Sequence, residues 1–158
     1  MHTGKTAAMP SADVGFPDFY RAELAGQVRR AFLMLGDNEQ ANDVVSEAMA
    51  GVYRNWGALD TPGAYLNRAV LNGCRDVGRR RASSRRLLQR MTPVDAPAAT
   101  NDVLTDVLAA LPFNHRAAVV LRYYAGYTTG EIADALDCAP GSVGPWIERG
   151  LAAMRKVL

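Results

Sequence analysis

The sequence predicts an all-α protein: two small helical domains joined by a flexible linker, the second containing a helix-turn-helix. Three observations predict it. Apolar residues recur with a period of roughly 3.6, and no stretch alternates as a half-buried strand would. That periodicity lapses between Ala82 and Thr100, where Ser, Pro, Ala and Thr accumulate in "MTPVDAPAAT". Near the C-terminus, Thr128 and Glu131 form an S/T-x-x-E capping box ahead of Ile132, and "DCAPG" follows as a tight turn. A length of 158 residues suits two such units.

Residues 1–15, "MHTGKTAAMPSADVG", hold one lysine and no apolar segment, so they read as a disordered tail rather than a secretory signal. The "GKT" lacks the glycine spacing of a phosphate loop. The first domain is expected over 16–81. Its first helix follows "FPD", with Leu24, Val28, Phe32 and Leu35 on the apolar face and Gly36 as the stop. A second helix opens after Asp37-Asn38, buries Ala41, Val45, Ala48 and Val52, and ends near Trp56-Gly57. On another of its faces Glu39, Asp43 and Glu47 stand four apart, so three carboxylates form a column. A third helix starts at Thr61-Pro62, a capping residue followed by proline at the first helical position.

After a linker at 82–100, the second domain spans 101–158. Val103, Leu104, Val107, Leu108 and Leu111 give one amphipathic face, closed by Pro112, and His115 to Tyr124 form a second apolar helix. Ile132, Ala133 and Leu136 supply the short buried face of the next helix. Val143, Ile147, Leu151, Met154 and Leu158 supply that of a longer last one. Proline is tolerated only in the first turn of a helix, where N–H groups lack intrahelical partners. The last helix is therefore expected to start at Ser142, with Pro145 at its third position. Two helices joined by about four residues suit a unit that lays its second helix in a DNA groove, and they also suit a plain helical hairpin.

Charge is segregated along the chain. Arg54 to Arg90 contains nine arginines against Asp60 and Asp76, while the whole chain carries only +2. A strongly basic segment balanced by an acidic remainder points to a polyanionic partner. Arg68, Asn72, Arg75 and Arg79 share one helical stripe, with Tyr65, Leu66, Ala69, Val70 and Val77 as the apolar contacts. Guanidinium groups neutralise backbone phosphates, and a carboxamide among them can pair with a base edge. Trp56 and Tyr65 flank the connection before this helix, where aromatic faces could stack on single-stranded bases. A solvated surface helix with core aromatics is the plainer alternative.

Other classes fare poorly. Cys74 and Cys138 lie far apart, outside any C-x-x-C pair, and His2 and His115 are the only histidines, so a disulfide framework or metal site is not expected. Reduced thiols fit a cytoplasmic protein. No apolar run reaches the ~20 residues that span a bilayer, so no membrane insertion is expected. An enzyme would need clustered carboxylates around a metal, or a nucleophile beside a base. The only acidic cluster, the Glu39–Asp43–Glu47 column, contains no histidine and reads more simply as a docking face.

Three blocks in order carry a resemblance: "DVVSEAMAGVYRNW", "AYLNRAVLNGCRDVGRRR" and "LPFNHRAAVVLRYYAGYTTGEIADALDCAPGSV…ERGLAAMR". From about Phe16 to Arg155 the chain resembles the extracytoplasmic-function sigma factors of bacterial RNA polymerase. The resemblance implies a sigma region 2 domain over 16–81 and a region 4 domain over 101–158. It implies core polymerase, through its beta and beta-prime subunits, and promoter DNA as partners, with an anti-sigma protein as a candidate third. No catalysis and no cofactor are implied.

By position, the resemblance implies that Glu39, Asp43, Val44, Glu47 and Tyr53 contact polymerase. Trp56, Asp60, Tyr65, Arg68, Asn72, Arg75, Arg79 and Arg80 would serve the promoter −10 element, with the Ala58–Gly63 loop capturing a flipped base. Thr128, Ser142, Trp146, Arg149 and Arg155 would serve the −35 element. The linker resembles the segment that threads toward the polymerase active centre. The chain departs from the family at Gly144-Pro145, where a Lys-Ser-like pair is usual, so two groove-facing positions carry no polar side chain. Arg149, Arg155 and Lys156 remain to hold phosphates. Trp146 either packs in the core or contacts a thymine methyl. A stand-alone helix-turn-helix regulator is the competing reading, and the acidic column has no use in it.

Overall fold

The first helix, α1 (Phe16–Leu35), stops at Gly36, which takes the left-handed conformation (φ 71°, ψ 13°) and donates its N–H to the Phe32 carbonyl at 2.7 Å. α2 (Asn38–Arg54) begins two residues later, because the Asp37 carboxylate accepts the Gln40 N–H at 2.9 Å. A 3-10 turn (Trp56–Ala58) leads to α3 (Pro62–Met91). The second unit contains α4 (Val103–Ala110), α5 (Phe113–Tyr123), α6 (Thr129–Leu136) and α7 (Pro140–Val157). The computed structural model describes Ala12, residues 14–91 and residues 103–157, and no strand occurs among them. Most of the tail expected at 1–15, the 92–100 part of the expected linker, and Leu158 lie outside the described residues.

α1 corrects the sequence reading. Of its expected inward face, Leu24, Val28 and Phe32 are only half-buried, while Gln27, Arg30, Ala31 and Met34 are buried. The reason is that α1 packs on α2 and α3 and also on α4 and α5. A second covered face therefore runs along it, and that face contains polar residues a simple apolar pattern does not reveal.

α3 is thirty residues long and continues well past Arg81. Residues 82–91, expected to open the linker, are helical. Residues 82–88 and Arg90 are all exposed, so no apolar stripe marks them, while Ala, Arg and Leu are strong helix formers. Its first half is anchored by Leu66, Val70, Cys74 and Val77, packed against Val45, Val52 and other buried residues of α1 and α2. Gly73 admits α2 closely: a Cβ there would lie 2.7 Å from Val44 Cγ1. Cys74 is a free thiol, and burial pushes it up to about 12 against the pull of Arg30 and Arg81. It is a core residue, not a nucleophile.

In the second unit Ile132, Leu136, Val143 and Ile147 close on Ala117, Ala118 and Leu121. α7 begins at Pro140, two residues before the expected Ser142, with proline at its first position. Pro145 is thus the sixth helical residue, inside the second turn. The two units share one hydrophobic cluster, and Phe113 lies against Gly78 of α3. α5 and α7 meet at Gly150, where a Cβ would stand 2.6 Å from Val119 Cγ2. Gly150→Leu overpacks this crossing and costs about 1–3 kcal/mol, read as a Tm several degrees lower by circular dichroism.

Candidate nucleic-acid interface

α3 divides its circumference among three neighbours and solvent. Tyr65, Ala69, Gly73, Asp76 and Arg80 border a groove whose other wall is α2. Leu66, Val70, Cys74 and Val77 are buried. Arg75 and Gly78 face the second unit. Arg68, Asn72 and Arg79 remain exposed. The Asn72 carboxamide has no hydrogen-bond partner among the described residues, so its donor and acceptor are both available. Arg79 reaches only Asp76, at 3.9 Å with both side chains mostly exposed, which ties up little of its charge.

Arg75 differs from the rest of the stripe. Its Nη2 donates to the Ala135 carbonyl on α6 at 2.9 Å. Arg81, the residue that ends the "RRR" run, is also engaged: its guanidinium donates to the Leu35 carbonyl at 2.6 Å and to Gln40 Oε1. Burial lowers its pKa, and the Asp37 carboxylate opposes that shift.

The aromatic residues before α3 are occupied by the fold. Trp56 stands edge-on to Phe16 (5.7 Å, 85°) and tilted against Phe19 (5.4 Å, 59°), so it is not a free stacking platform. Its large apolar ring is better covered by α1 than exposed in a short turn. Tyr65 is 36% exposed, with its hydroxyl over Gly51 of α2. Asp60 is exposed in the loop between the 3-10 turn and α3.

On α2, Glu39, Asp43 and Glu47 are all exposed, and Tyr53 is 48% exposed with its ring edge-on to Phe16 at 5.2 Å. Val44 is buried against Gly73 and lines the floor of the α2–α3 groove. Asp43, Glu47 and Arg54 of α2 line the α2–α3 groove opposite Asp76 and Arg80 of α3, so each wall carries both signs of charge.

In the second unit, the Thr128 hydroxyl accepts the Glu131 N–H at 3.2 Å, and Glu131 Oε1 accepts the Thr128 N–H at 2.9 Å. Those bonds hold the Glu131 carboxyl below its ordinary range. The stability they supply is present above the ordinary glutamate pKa and fades as pH falls through the lowered one. Ser142 and Trp146 are half-buried, and Trp146 packs against the core. Gly144, Pro145, Arg149 and Arg155 are exposed. Burial and then the Arg149 charge lower the His115 pKa.

Three polar side chains that tie the helices together are not signalled by the sequence pattern. Asn67 Oδ1 accepts from Gln27 Nε2 (2.6 Å) and Arg30 Nη1 (2.9 Å). Arg116 donates to the carbonyls of Met34 and Leu111. Arg122 binds the Tyr127 carbonyl (3.2 Å) and Thr129 Oγ1 (2.6 Å), fixing the entry to α6. For Asn67 and Arg116 the partners are distant or backbone groups, and for Arg122 they are a backbone carbonyl and a hydroxyl across the turn into α6, so no helical spacing signals them.

An arginine-lined helix beside an acidic one, followed by a capped helix-turn-helix, defines a two-unit helical DNA-binding protein. Residues 19–86 match "Sigma-70 region 2" and residues 101–154 match "Sigma-70, region 4". The chain is 31% identical over 144 residues to the ECF RNA polymerase sigma factor SigL of Mycobacterium tuberculosis, covering 82% of this chain and 81% of that one. It is 28% identical over 151 residues to an RNA polymerase sigma-E factor of Streptomyces coelicolor, covering 90% and 85%. Its fold matches that of the sigma factor RpoE of Bartonella quintana, solved in complex with the anti-sigma factor NepR (TM-score 0.70, 15% identity, 90% of this chain and 95% of that one). It also matches CnrH, solved with the cytosolic domain of CnrY (TM-score 0.64, 22% identity, 92% and 90%). The chain belongs to the ECF sigma factors, and its function is that of an RNA polymerase sigma factor.

Pro145 lacks the N–H that would bond the Gly141 carbonyl, and its ring crowds that carbonyl. Pro145→Ala is therefore expected to stabilise the chain by about 1–3 kcal/mol, seen as a higher Tm; an unchanged or lower Tm contradicts the strain.

Proposed function

We propose that the chain docks on core RNA polymerase through the exposed column Glu39, Asp43 and Glu47 together with Tyr53, while α3 holds melted −10 DNA. The observation that carries this reading is the division of exposed charge within one helical unit. Carboxylates line α2, and Arg68, Asn72 and Arg79 line the outer face of α3. Opposite signs on adjacent helices suit two partners of opposite charge at once. A basic docking surface on polymerase takes the column, and phosphates take the arginines.

Asn72 is the base reader on the stripe, and the loop bearing Asp60 receives a flipped base. Extruding a base costs a few kcal/mol of stacking and pairing, which guanidinium–phosphate contacts from Arg68, Arg79 and Arg80 offset. Trp56 and Val44 support this surface from beneath. The helix-turn-helix sits on −35 duplex, with Arg149, Arg155 and Lys156 on the backbone and exposed Gly144-Pro145 supplying no polar base contact. Sequence discrimination therefore falls mainly on the −10 strand. The chain performs no catalysis of its own, uses no cofactor and works in the cytoplasm; no described helix is long and apolar enough to cross a membrane. Both solved relatives are held by a second protein, so an anti-sigma protein is part of the proposal.

Run-off transcription of a genomic library by purified core polymerase, with and without the chain, tests the reading; promoter-specific transcripts that need the chain support it. The Asp43→Lys/Glu47→Lys double variant is expected to lose at least tenfold in core-polymerase affinity with its Tm unchanged, and undiminished pull-down contradicts the docking face. Asn72→Ala is expected to cut open-complex formation about tenfold, corresponding to ~1–3 kcal/mol for one base contact. Normal permanganate reactivity at the −10 region would refute that role.

A further inference from the structure

A cavity of about 490 Å³ lies between α3, the start of α5 and the turn from α6 to α7, within the roughly 300–1,000 Å³ of small-molecule sites. Phe113 and Trp146 give it two half-buried aromatic walls. Arg75 and Arg79 enter from α3, Asn114 from the start of α5 and Asp137 from the end of α6. Arg75 is held by its bond to the Ala135 carbonyl at 2.9 Å, which leaves the other donors of its guanidinium over. Arg79 is exposed and meets only Asp76, at 3.9 Å.

Asp137 is the informative member. It closes α6 in the left-handed conformation (φ 55°, ψ 54°), the one non-glycine residue with positive φ among the described residues. Glycine is usual at such a helix end, so the fold alone gives no reason for a carboxylate there. That carboxylate has no ion pair or side-chain hydrogen bond among the described residues. It is a free acceptor on the wall of a cavity whose opposite wall carries two guanidinium groups.

We propose that this cavity binds an adenine ribonucleotide. The base stacks on the Phe113 and Trp146 rings, as bases do on aromatic side chains. Asn114 offers the adjacent donor and acceptor that match adenine N6 and N7. Asp137 accepts from the ribose hydroxyls, the role an acidic side chain takes in dinucleotide sites. The guanidinium groups of Arg75 and Arg79 take the phosphates. Two arginines against one carboxylate keep the cavity net positive, which suits an anionic ligand. A promoter strand offers the same base and phosphate chemistry but no 2′-hydroxyl, so the contact at Asp137 favours the free ribonucleotide. Arg79 also belongs to the DNA-facing stripe, so a bound nucleotide withdraws a phosphate contact from the promoter. That regulatory consequence rests on the sigma-factor reading above; the site itself does not.

Isothermal titration of the full chain with ADP tests the site. One ADP per chain is expected, with 2′-deoxy-ADP and inorganic phosphate each bound about tenfold more weakly or worse, since each lacks a contact made to a charged or aromatic group. Asp137→Asn removes the charge and keeps a residue that tolerates the left-handed conformation. It is expected to weaken ADP and to narrow its advantage over 2′-deoxy-ADP to less than about threefold. Arg79→Gln is expected to weaken ADP about tenfold. Both positions are exposed, and unchanged helicity by circular dichroism confirms that each variant folds. No heat of binding at about 1 mM ADP overturns the proposal. So does equal affinity for inorganic phosphate, which makes the arginines an anion site only, or equal affinity for 2′-deoxy-ADP, which assigns the cavity to the DNA strand. Undiminished discrimination in Asp137→Asn overturns it as well. Saturating ADP is then expected to weaken binding of a mixed-sequence single strand and to leave pull-down of core polymerase unchanged. ADP binding with no effect on the strand keeps the site and rejects only the placing of DNA on Arg79.

Discussion

The end of α1 is the point on which the molecule turns. The last carbonyls of a helix have no intrahelical donors, and α1 has no basic residue in its own last turn. Its donors come from elsewhere. Gly36 takes Phe32, Arg116 takes Met34, and Arg81 takes Leu35. One arginine belongs to the first unit and the other to the second, so satisfying a single helix end ties α3 and α5 to α1. Crowding is the consequence: burial, then the charges of Arg81 and Arg85, lower the Arg116 pKa to about 10. Arg116 still carries its proton at neutral pH, and it sits among like charges that disfavour the closed arrangement.

The same logic explains how α3 can be anchored and functional at once. Its buried face carries small and medium apolar residues, with Cys74 among them. Gly73 lets α2 approach closely enough that the acidic column and Arg80 face one groove. What is left pointing outward is Arg68, Asn72 and Arg79, with Arg86 and Arg90 further along the exposed extension. Charge density on this face thus follows from where the neighbours sit. The arginines that the neighbours reach, Arg75 and Arg81, are drawn into the fold.

Features whose causes are local were legible in the sequence. Gly36 ends a helix, Asp37 and Thr128 begin helices, and Thr128 with Glu131 makes both bonds of the capping box, since each needs only residues a few positions away. The exposure of the Glu39–Asp43–Glu47 column followed from its spacing. Features set by the second unit were not legible. Gln27 and Arg30 look like solvated positions, yet Asn67 supplies an acceptor to both and Tyr127 covers Arg30. Residues 82–91 read as linker because an extension exposed on all sides leaves no apolar period to detect. Trp56 read as a base-stacking surface because nothing nearby in sequence announces Phe16 and Phe19. Pro145 falls in the second turn because Pro140, favoured at a first helical position, already opens the same helix.

On the proposed reading, function rests on the exposed acidic column of α2 meeting polymerase while the outer face of α3 meets DNA. Hydrogen exchange along the whole chain, alone and bound to core polymerase, tests this most directly. The account predicts that residues 39–54 of α2 exchange more slowly in the complex than in the free chain. Equal exchange of that stretch in the free and bound states would contradict it.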